Sequence, residues 1–243
     1  MTLNVVEQGA GDAVLVMPGF TDNIENLKAL RDHLAARHRV ITVDLPGSGR
    51  SGPQPRTYSA RYYEEDADAM AVLLKERGVS SARIFGHSDG GEVALLMAAR
   101  YPGLVRAVIA EAAMGEIPNA ATIDLLGSII DAPASALEEY SKVLVAYYGR
   151  ENALATTKSW ARASHEMAAN GGSISRDVAG SIRCPVLLMV GTKDLFIPTD
   201  AVRALARRIA SSEVIVVPEV GHNIHVARAE WFNATVTDWL AAH

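Results

Sequence analysis

The sequence has only one cysteine, Cys184, which excludes an intrachain disulfide bond. It has no run of lysine or arginine, and its net charge of −5 argues against nucleic acid and anionic membrane surfaces as partners. No apolar stretch reaches the length of a membrane span, and no secretory signal opens the chain. We therefore expect a soluble cytoplasmic protein, with a core built from the 49% of residues that are apolar.

Apolar segments of strand length alternate with longer helical segments along most of the chain. Strands are predicted at residues 3–7, 13–17, 39–44, 82–85, 105–111, 186–190 and 213–217. Val186–Val190 is apolar throughout, which is typical of a strand buried on both faces of a parallel sheet. Helices are predicted near residues 24–37, 59–77, 90–101, 200–210 and 228–241. The alternation predicts an α/β fold, with a mostly parallel sheet flanked by helices.

Residues 113–183 interrupt this alternation because they contain no convincing strand. A capping box at Ser135–Glu138 predicts the start of a helix that ends near Gly149, and a second helix is predicted over 151–169. Open α/β sheets bind ligands at the carboxyl ends of their strands, so a helical insert there would cover the pocket. We predict a core domain of residues 1–112 and 184–243, with a helical cap of residues 113–183 inserted in it.

The most informative motif is Gly86–Gly90, which reads G-x-S-x-G between a short β-forming segment and a helix-forming one. Isolated matches to this motif are often ordinary turns, but this context predicts a nucleophile elbow that presents Ser88 at the start of a helix. The amides and dipole of that helix favour negative charge beside Ser88, where acyl transfer forms an oxyanion. We therefore predict Ser88 as a nucleophile.

A serine hydroxyl needs a base to take its proton and a third group that orients the base. Among the seven histidines we favour His222, which follows the last predicted strand in a short loop, with His225 as the alternative. His87 is discounted because neighbours on a strand point to opposite sides. His222 and His225 also form an H-x-x-H pattern, but no further ligand cluster supports a metal site, and we predict none.

The acid that orients the base should lie at the carboxyl end of another strand. Asp194 comes directly after the apolar strand 186–190 and should face the same rim of the sheet as Ser88 and His222. Glu111 ends the strand at 105–111 and is the alternative, although we favour Asp194.

Two backbone amides are predicted to form the oxyanion hole: that of Phe20, in the loop after residues 13–17, and that of Asp89. The Asp89 carboxylate has two possible orientations. It either faces the pocket, where it would be a substrate-binding residue that attracts an ammonium group, or turns into a hydrogen bond with the helix start. We favour the second orientation.

Residues 47–52 read G-x-G-x-x-G after a strand, as in dinucleotide-binding folds. Pro53 and Pro55 follow in place of a helix, and the nearby acids Glu64 and Glu65 lie within a predicted helix rather than at the end of the next strand. We interpret this segment as a structural loop and predict no cofactor.

Taken together, these motifs resemble the α/β-hydrolase superfamily over nearly the whole chain. The matching segments are Pro18–Phe20, Asp44–Ser51, Gly86–Gly91, Gly191–Asp194 and Gly221–His222. The order of serine, acid and histidine is the α/β-hydrolase order. The resemblance implies the α/β-hydrolase fold and its catalytic machinery, although it does not identify the substrate.

A narrower resemblance links the chain to the valacyclovir hydrolase branch of that superfamily. It rests on Ser88–Gly91, on the segment from Tyr147 through Trp160, and on Ile182–Pro185. Members of that branch cleave esters of amino acids, with the acid after the nucleophile placed to meet the substrate's ammonium group. The resemblance assigns that role to Asp89.

We expect a serine esterase (EC 3.1.1.-) that cleaves a small-molecule ester through an acyl-enzyme. Hydrolysis of lactones, amides or carbon–carbon bonds, and cofactor-free perhydrolysis, remain open on the same triad. An alternative of another class is a ligand receptor on a hydrolase scaffold. Epoxide hydrolases and haloalkane dehalogenases are disfavoured because both need a carboxylate where Ser88 stands. The oligomeric state is left open.

Overall fold

The computed structural model describes residues 2–243. Its strands are β1 (Val5–Gln8), β2 (Ala13–Met17), β3 (Arg39–Val43), β4 (Ala82–His87), β5 (Val105–Glu111), β6 (Val186–Gly191) and β7 (Ser212–Val217). Within the described residues these form a seven-stranded sheet of order β1-β3-β2-β4-β5-β6-β7. Only β1 is antiparallel to its neighbour, so the prediction of a mostly parallel sheet is confirmed.

The helices lie on both faces of the sheet and in the segment between β5 and β6. They are α1 (Lys28–Leu34), α2 (Tyr62–Glu76), α3 (Asp89–Arg100), α4 (Ala120–Gly127), α5 (Glu138–Tyr148), α6 (Arg150–Ala169), α7 (Thr199–Ala206), α8 (Ile224–Ala227) and α9 (Ala229–Ala242). Short 3-10 helices cover Ser135–Leu137 and Ala179–Ser181. No helix in the described part of the chain is both long and apolar enough to cross a membrane. The cytoplasmic location stays a prediction.

The two faces of the sheet are buried by different helices because side chains alternate along each strand. In β2, Leu15 packs into the cluster that contains α2, α3 and α7, whereas Val14 and Val16 pack with α1 and α9. Both clusters are buried, which explains why the central strands are apolar throughout.

Two local predictions of helix structure are wrong. The helix expected near 24–37 covers only Lys28–Leu34. The residues before it form turns, in which the Ile24 amide donates to the Asp44 carboxylate instead of to a helix carbonyl. The capping box at Ser135–Glu138 does not form, since Ser135 lies in a 3-10 turn and makes no side-chain cap bond.

The segment between β5 and β6 has a small apolar cluster of its own. Residues 112–185 are all described and contain α4, α5 and α6 but no named strand, as predicted. The two ends of this segment lie together. The Gly115 carbonyl accepts the amides of Ile174, Ser175 and Arg176 at 2.9, 3.1 and 3.0 Å. The division into a core and an inserted cap domain stays a prediction. We call residues 116–173 the insert.

The G-x-G-x-x-G segment packs around a buried carboxylate. A Cβ on Gly49 would lie 2.1 Å from the Asp44 carboxyl group, and Asp44 Oδ2 accepts the Arg50 amide at 2.8 Å. The next helix, α2, begins only at Tyr62. The glycines therefore serve a tight loop and do not open a helix.

Candidate active site

Ser88 lies in a sharp turn between β4 and α3. Its φ of 53° and ψ of −119° lie outside the regions that residues with a side chain ordinarily occupy. A Cβ on Gly86 would lie 2.0 Å from the Gly90 carbonyl oxygen, and one on Gly90 would lie 2.6 Å from the Met17 carbonyl oxygen. Only glycine fits at either position. The two glycines of the motif are therefore needed because the end of β4, the start of α3 and the loop after β2 approach one another closely here.

His222 lies in the loop after β7, and its Nδ1 is 2.8 Å from Asp194 Oδ2. The Asp194 side chain is fully buried, and its other oxygen accepts the amides of Phe196 and Ile197 at 2.8 and 3.1 Å. A carboxylate held in this way keeps the imidazole in the tautomer with Nδ1 protonated, which leaves Nε2 as a proton acceptor. His222 and Ser88 line the same pocket.

The side chains of the alternative acid and the alternative base also meet, but outside the pocket that contains Ser88. Glu111 Oε2 lies 2.8 Å from His225 Nδ1, and Oε1 accepts the amides of Ile224 and His225 at 2.6 and 3.2 Å. Burial alone would lower the pKa of His225, but the charge and hydrogen bond of Glu111 outweigh it and raise the pKa. Among the described residues that line the pocket of Ser88, neither Glu111 nor His225 is present.

His87 supports the loop that carries His222. Its ring centroid lies 4.8 Å from those of both His222 and His225, and its Nε2 donates to the His222 carbonyl at 3.2 Å. Burial, assisted by the two neighbouring histidines, holds the pKa of His87 well below its usual range, so the ring is neutral. The alternation of side chains along a strand, which discounts His87 as a base, does not predict this contact with His222.

The same region brings together potential metal ligands that the sequence did not predict. His87, Glu111 and His225 are buried, and each offers one ligand atom within 4.8 Å of the others. Both oxygens of Glu111 already accept hydrogen bonds from N–H groups. The donor set therefore fits an ion pair that anchors the start of α8 better than an open metal site.

The two amides predicted for the oxyanion hole belong to residues close to Ser88. A Cβ on Gly19 would be 3.0 Å from Ser88 Cβ, so the loop that carries Phe20 runs directly against the elbow. Asp89 is the first residue of α3. Within residues 2–243 neither amide donates to a protein acceptor, so both are available to bind an anion.

The Alpha/beta hydrolase family matches residues 13–235 of the chain. The protein belongs to the α/β-hydrolase family. It is 29% identical over 245 residues to the human serine hydrolase BPHL, covering 98% of this chain and 82% of the relative. It is 27% identical over 261 residues to 2-(acetamidomethylene)succinate hydrolase of Mesorhizobium japonicum, covering 100% of this chain and 92% of the relative. A thermophilic esterase from Thermogutta terrifontis shares the fold, with a TM-score of 0.76 at 24% identity over 99% and 93% of the chains.

Family and relatives make the protein a hydrolase and confirm the predicted α/β-hydrolase fold. The pocket of this hydrolase has a volume of about 350 Å³, which is the size of a small-molecule site. Four carboxylates line it, while no lysine or arginine is found among its described lining residues. The acids are Asp22, Asp89, Glu92 and Glu116.

Asp89 lines the pocket of the hydrolase, and two tyrosine hydroxyls hold its carboxylate. Its Oδ1 accepts the Tyr63 hydroxyl at 2.7 Å and its Oδ2 accepts the Tyr62 hydroxyl at 3.4 Å. Burial raises the pKa of Asp89 to about 6, against the lowering effects of the tyrosine hydrogen bonds and of Arg56. The expected bond to the helix start is therefore wrong, because two tyrosines of α2 hold the side chain instead.

Glu92 is a pocket residue that sequence reasoning missed. Its Oε1 accepts the amides of Met114 and Gly115 at 2.8 and 2.7 Å, and its Oε2 accepts the Ser175 hydroxyl at 2.8 Å. Burial raises the pKa of Glu92 to about 7, although the hydrogen bonds oppose this. One carboxylate on α3 thus holds both connections of the insert, and no local motif signals this contact.

Proposed function

We propose that this hydrolase cleaves small carboxylic esters through an acyl-enzyme formed on Ser88. The proposal rests chiefly on the 2.8 Å contact between His222 and buried Asp194, beside a pocket that also contains Ser88. Ser88 attacks the ester carbonyl while His222 Nε2 takes the hydroxyl proton. Asp194 stabilises the imidazolium that forms and keeps its orientation.

The attack places negative charge on the carbonyl oxygen, where the amides of Phe20 and Asp89 can stabilise it. Loss of one such donor typically lowers the rate by about 10²–10³-fold. His222 then gives its proton to the leaving alcohol. A water molecule, deprotonated by the same imidazole, hydrolyses the acyl-enzyme and restores Ser88.

We also propose that the preferred ester carries an ammonium group that lies against Asp89. The described residues that line the pocket include acids but no lysine or arginine, and the carboxylate of one of them, Asp89, has two tyrosine hydroxyls as partners. An ionised carboxylate held in a partly apolar wall attracts a cation more strongly than one in water. An ester of an amino acid satisfies these conditions.

The proposal is tested with p-nitrophenyl esters of increasing chain length, simple lactones and aminoacyl esters, with Ser88→Ala as the control. We expect steady turnover of short and aminoacyl esters by the wild type, and a loss on the order of 10⁶ in kcat for the variant. A fluorophosphonate should label the wild type at Ser88 only. Faster hydrolysis of lactones than of any ester would replace the ester proposal, and a product burst without steady turnover would favour a receptor.

A further inference from the structure

The loop that supplies the Phe20 amide includes a strained residue. Thr21 has a φ of 54° and is buried, with 5% of its surface exposed. A β-branched residue with positive φ is a conformational outlier, and it persists only when surrounding contacts hold it. The contacts around Thr21 therefore decide how the preceding Phe20 amide is presented to Ser88.

Two tyrosines of α5 provide those contacts. The Phe20 carbonyl accepts the hydroxyls of Thr21 and Tyr140 at 2.7 and 3.1 Å, and these two hydroxyls lie 2.7 Å apart. Tyr148 donates to the Thr21 carbonyl at 2.9 Å and accepts the Gly49 amide at 2.7 Å. Burial raises the pKa of both tyrosines, so both hydroxyls keep their protons.

The loop is thus held from two sides by different parts of the molecule. On the core side, Gly90 packs against the carbonyl groups of Met17 and Pro18, as its lack of a Cβ allows. On the other side, Tyr140 and Tyr148 are separated by about two turns of α5 and so lie on the same helix face. Because α5 belongs to the insert, part of the support for this loop comes from outside the sheet and its flanking helices.

We propose that Tyr140 and Tyr148 are positioning residues of the oxyanion hole, and that the hole is complete only while α5 is seated on the Phe20 loop. The inference rests on the proposed function, since it assigns the Phe20 amide to the oxyanion. Both hydroxyls act through the carbonyl groups that follow this amide in the chain. When they are lost, Thr21 can relax toward an ordinary backbone conformation and the amide turns away from the developing charge.

The test uses the full chain with Tyr140→Phe, Tyr148→Phe and the double variant, assayed on p-nitrophenyl butyrate. The matched control is Tyr101→Phe at the C-terminal end of α3, which removes the 2.5 Å hydrogen bond from the Tyr101 hydroxyl to Asp68 of α2. We expect each α5 variant to lower kcat by about tenfold to a hundredfold, as small misplacements of catalytic groups do, with KM nearly unchanged. The control should stay within about twofold of wild type for both constants.

A second measurement separates positioning from folding. An alkylboronic acid forms a tetrahedral adduct with Ser88, so its inhibition constant should rise in parallel with the loss in kcat. Tyr140→Phe leaves the Phe20 carbonyl bonded to Thr21, so this variant should fold even where Tyr148→Phe does not. Unchanged kcat, or a lower melting temperature with an unchanged boronic acid constant, would overturn the inference. Turnover by Ser88→Ala would instead overturn the proposed function.

Discussion

Glu111 contacts Nδ1 of His225 across 2.8 Å, and both side chains are almost completely buried. The Asp194–His222 pair has a contact of the same length, but its histidine faces the pocket. The loop after β7 therefore carries two acid–histidine pairs of similar geometry and different surroundings. The difference in exposure predicts that the first pair serves stability and the second serves turnover.

Asp194→Asn should lower kcat by about 10³–10⁴-fold, because an amide in this position favours the wrong tautomer of the base. The melting temperature should change little. Glu111→Gln should clearly lower the melting temperature and should lower kcat less than Asp194→Asn does. Activity assays and thermal unfolding of the two variants, side by side, decide the assignment. The opposite ranking in kcat would make Glu111 the working acid.

His222→Ala should be nearly inactive, with a loss that approaches that of the nucleophile, because triad members act as a unit. His225→Ala should retain turnover but unfold at lower urea concentration. Removal of one partner of a buried ion pair typically costs about 3–5 kcal/mol. Urea unfolding curves measure the stability of both variants, and kcat measured at urea concentrations below the unfolding transition gives their activity. An inactive His225→Ala protein with wild-type stability would contradict them.

Asp89→Asn should lower kcat/KM for an alanine ester by about tenfold to a hundredfold, where each decade corresponds to about 1.4 kcal/mol. An isobutyrate ester is the matched neutral substrate, because a methyl group replaces the ammonium group. Hydrolysis of the isobutyrate ester should hardly change, since the substitution keeps the backbone amide that we propose for the oxyanion hole. Equal losses on both esters would show that the side chain is structural and would remove the argument for an ammonium substrate.

The preference for the ammonium ester should depend on pH. The pKa of Asp89 is about 6, so the ionised form increases as the pH rises through this value. The ratio of kcat/KM for the alanine ester to that for the isobutyrate ester should rise over this range, where an α-amino group of pKa about 7.7–8.0 stays largely protonated. Any effect of pH on the catalytic steps that both esters share cancels in the ratio. In Asp89→Asn the ratio should be flat.

Glu92 should make the folded state less stable as the pH rises. Its pKa is raised from 4.5 to about 7, so the folded chain binds this proton more tightly than the unfolded chain does. The contribution to stability is present below pH 4.5 and is lost as the pH rises through about 7. The loss amounts to a few kcal/mol at most, since one pKa unit corresponds to about 1.4 kcal/mol.

The measurement is urea unfolding of wild type and Glu92→Gln at several pH values. The amide can still accept the two backbone N–H groups, so the variant should fold and lack this part of the pH dependence. Glu76→Gln, at the exposed end of α2, is the control and should follow the wild type. A wild-type slope in Glu92→Gln would refute the linkage.

The strands and the elbow could be predicted because their signals are contiguous in the sequence. Val186–Val190 is apolar throughout, and Gly86–Gly90 contains every residue of the tight turn. The direction of the Asp89 side chain was predicted incorrectly because it depends on hydroxyls from α2, including that of Tyr63. Contacts between residues remote in the chain leave no local pattern. The link between Glu92 and Ser175, which are 83 positions apart, is another example.

Both ends of the insert meet at Gly115, so the residues of the insert form one continuous stretch of sequence that begins and ends at the same place in the structure. A chain segment whose ends lie together is a favourable place for exchange of sequence, although here Trp160 of the insert also packs in the main core and donates to the Tyr62 hydroxyl. Ser88, Asp194 and His222 all lie outside the insert, whereas α5 supplies five of the residues that line the pocket and α6 supplies Trp160. New sequence between Gly115 and Ile174 could therefore redirect substrate choice while the reacting groups stay in place. Residues equivalent to Tyr140, Tyr148 and Trp160 are contacts that such a replacement must preserve.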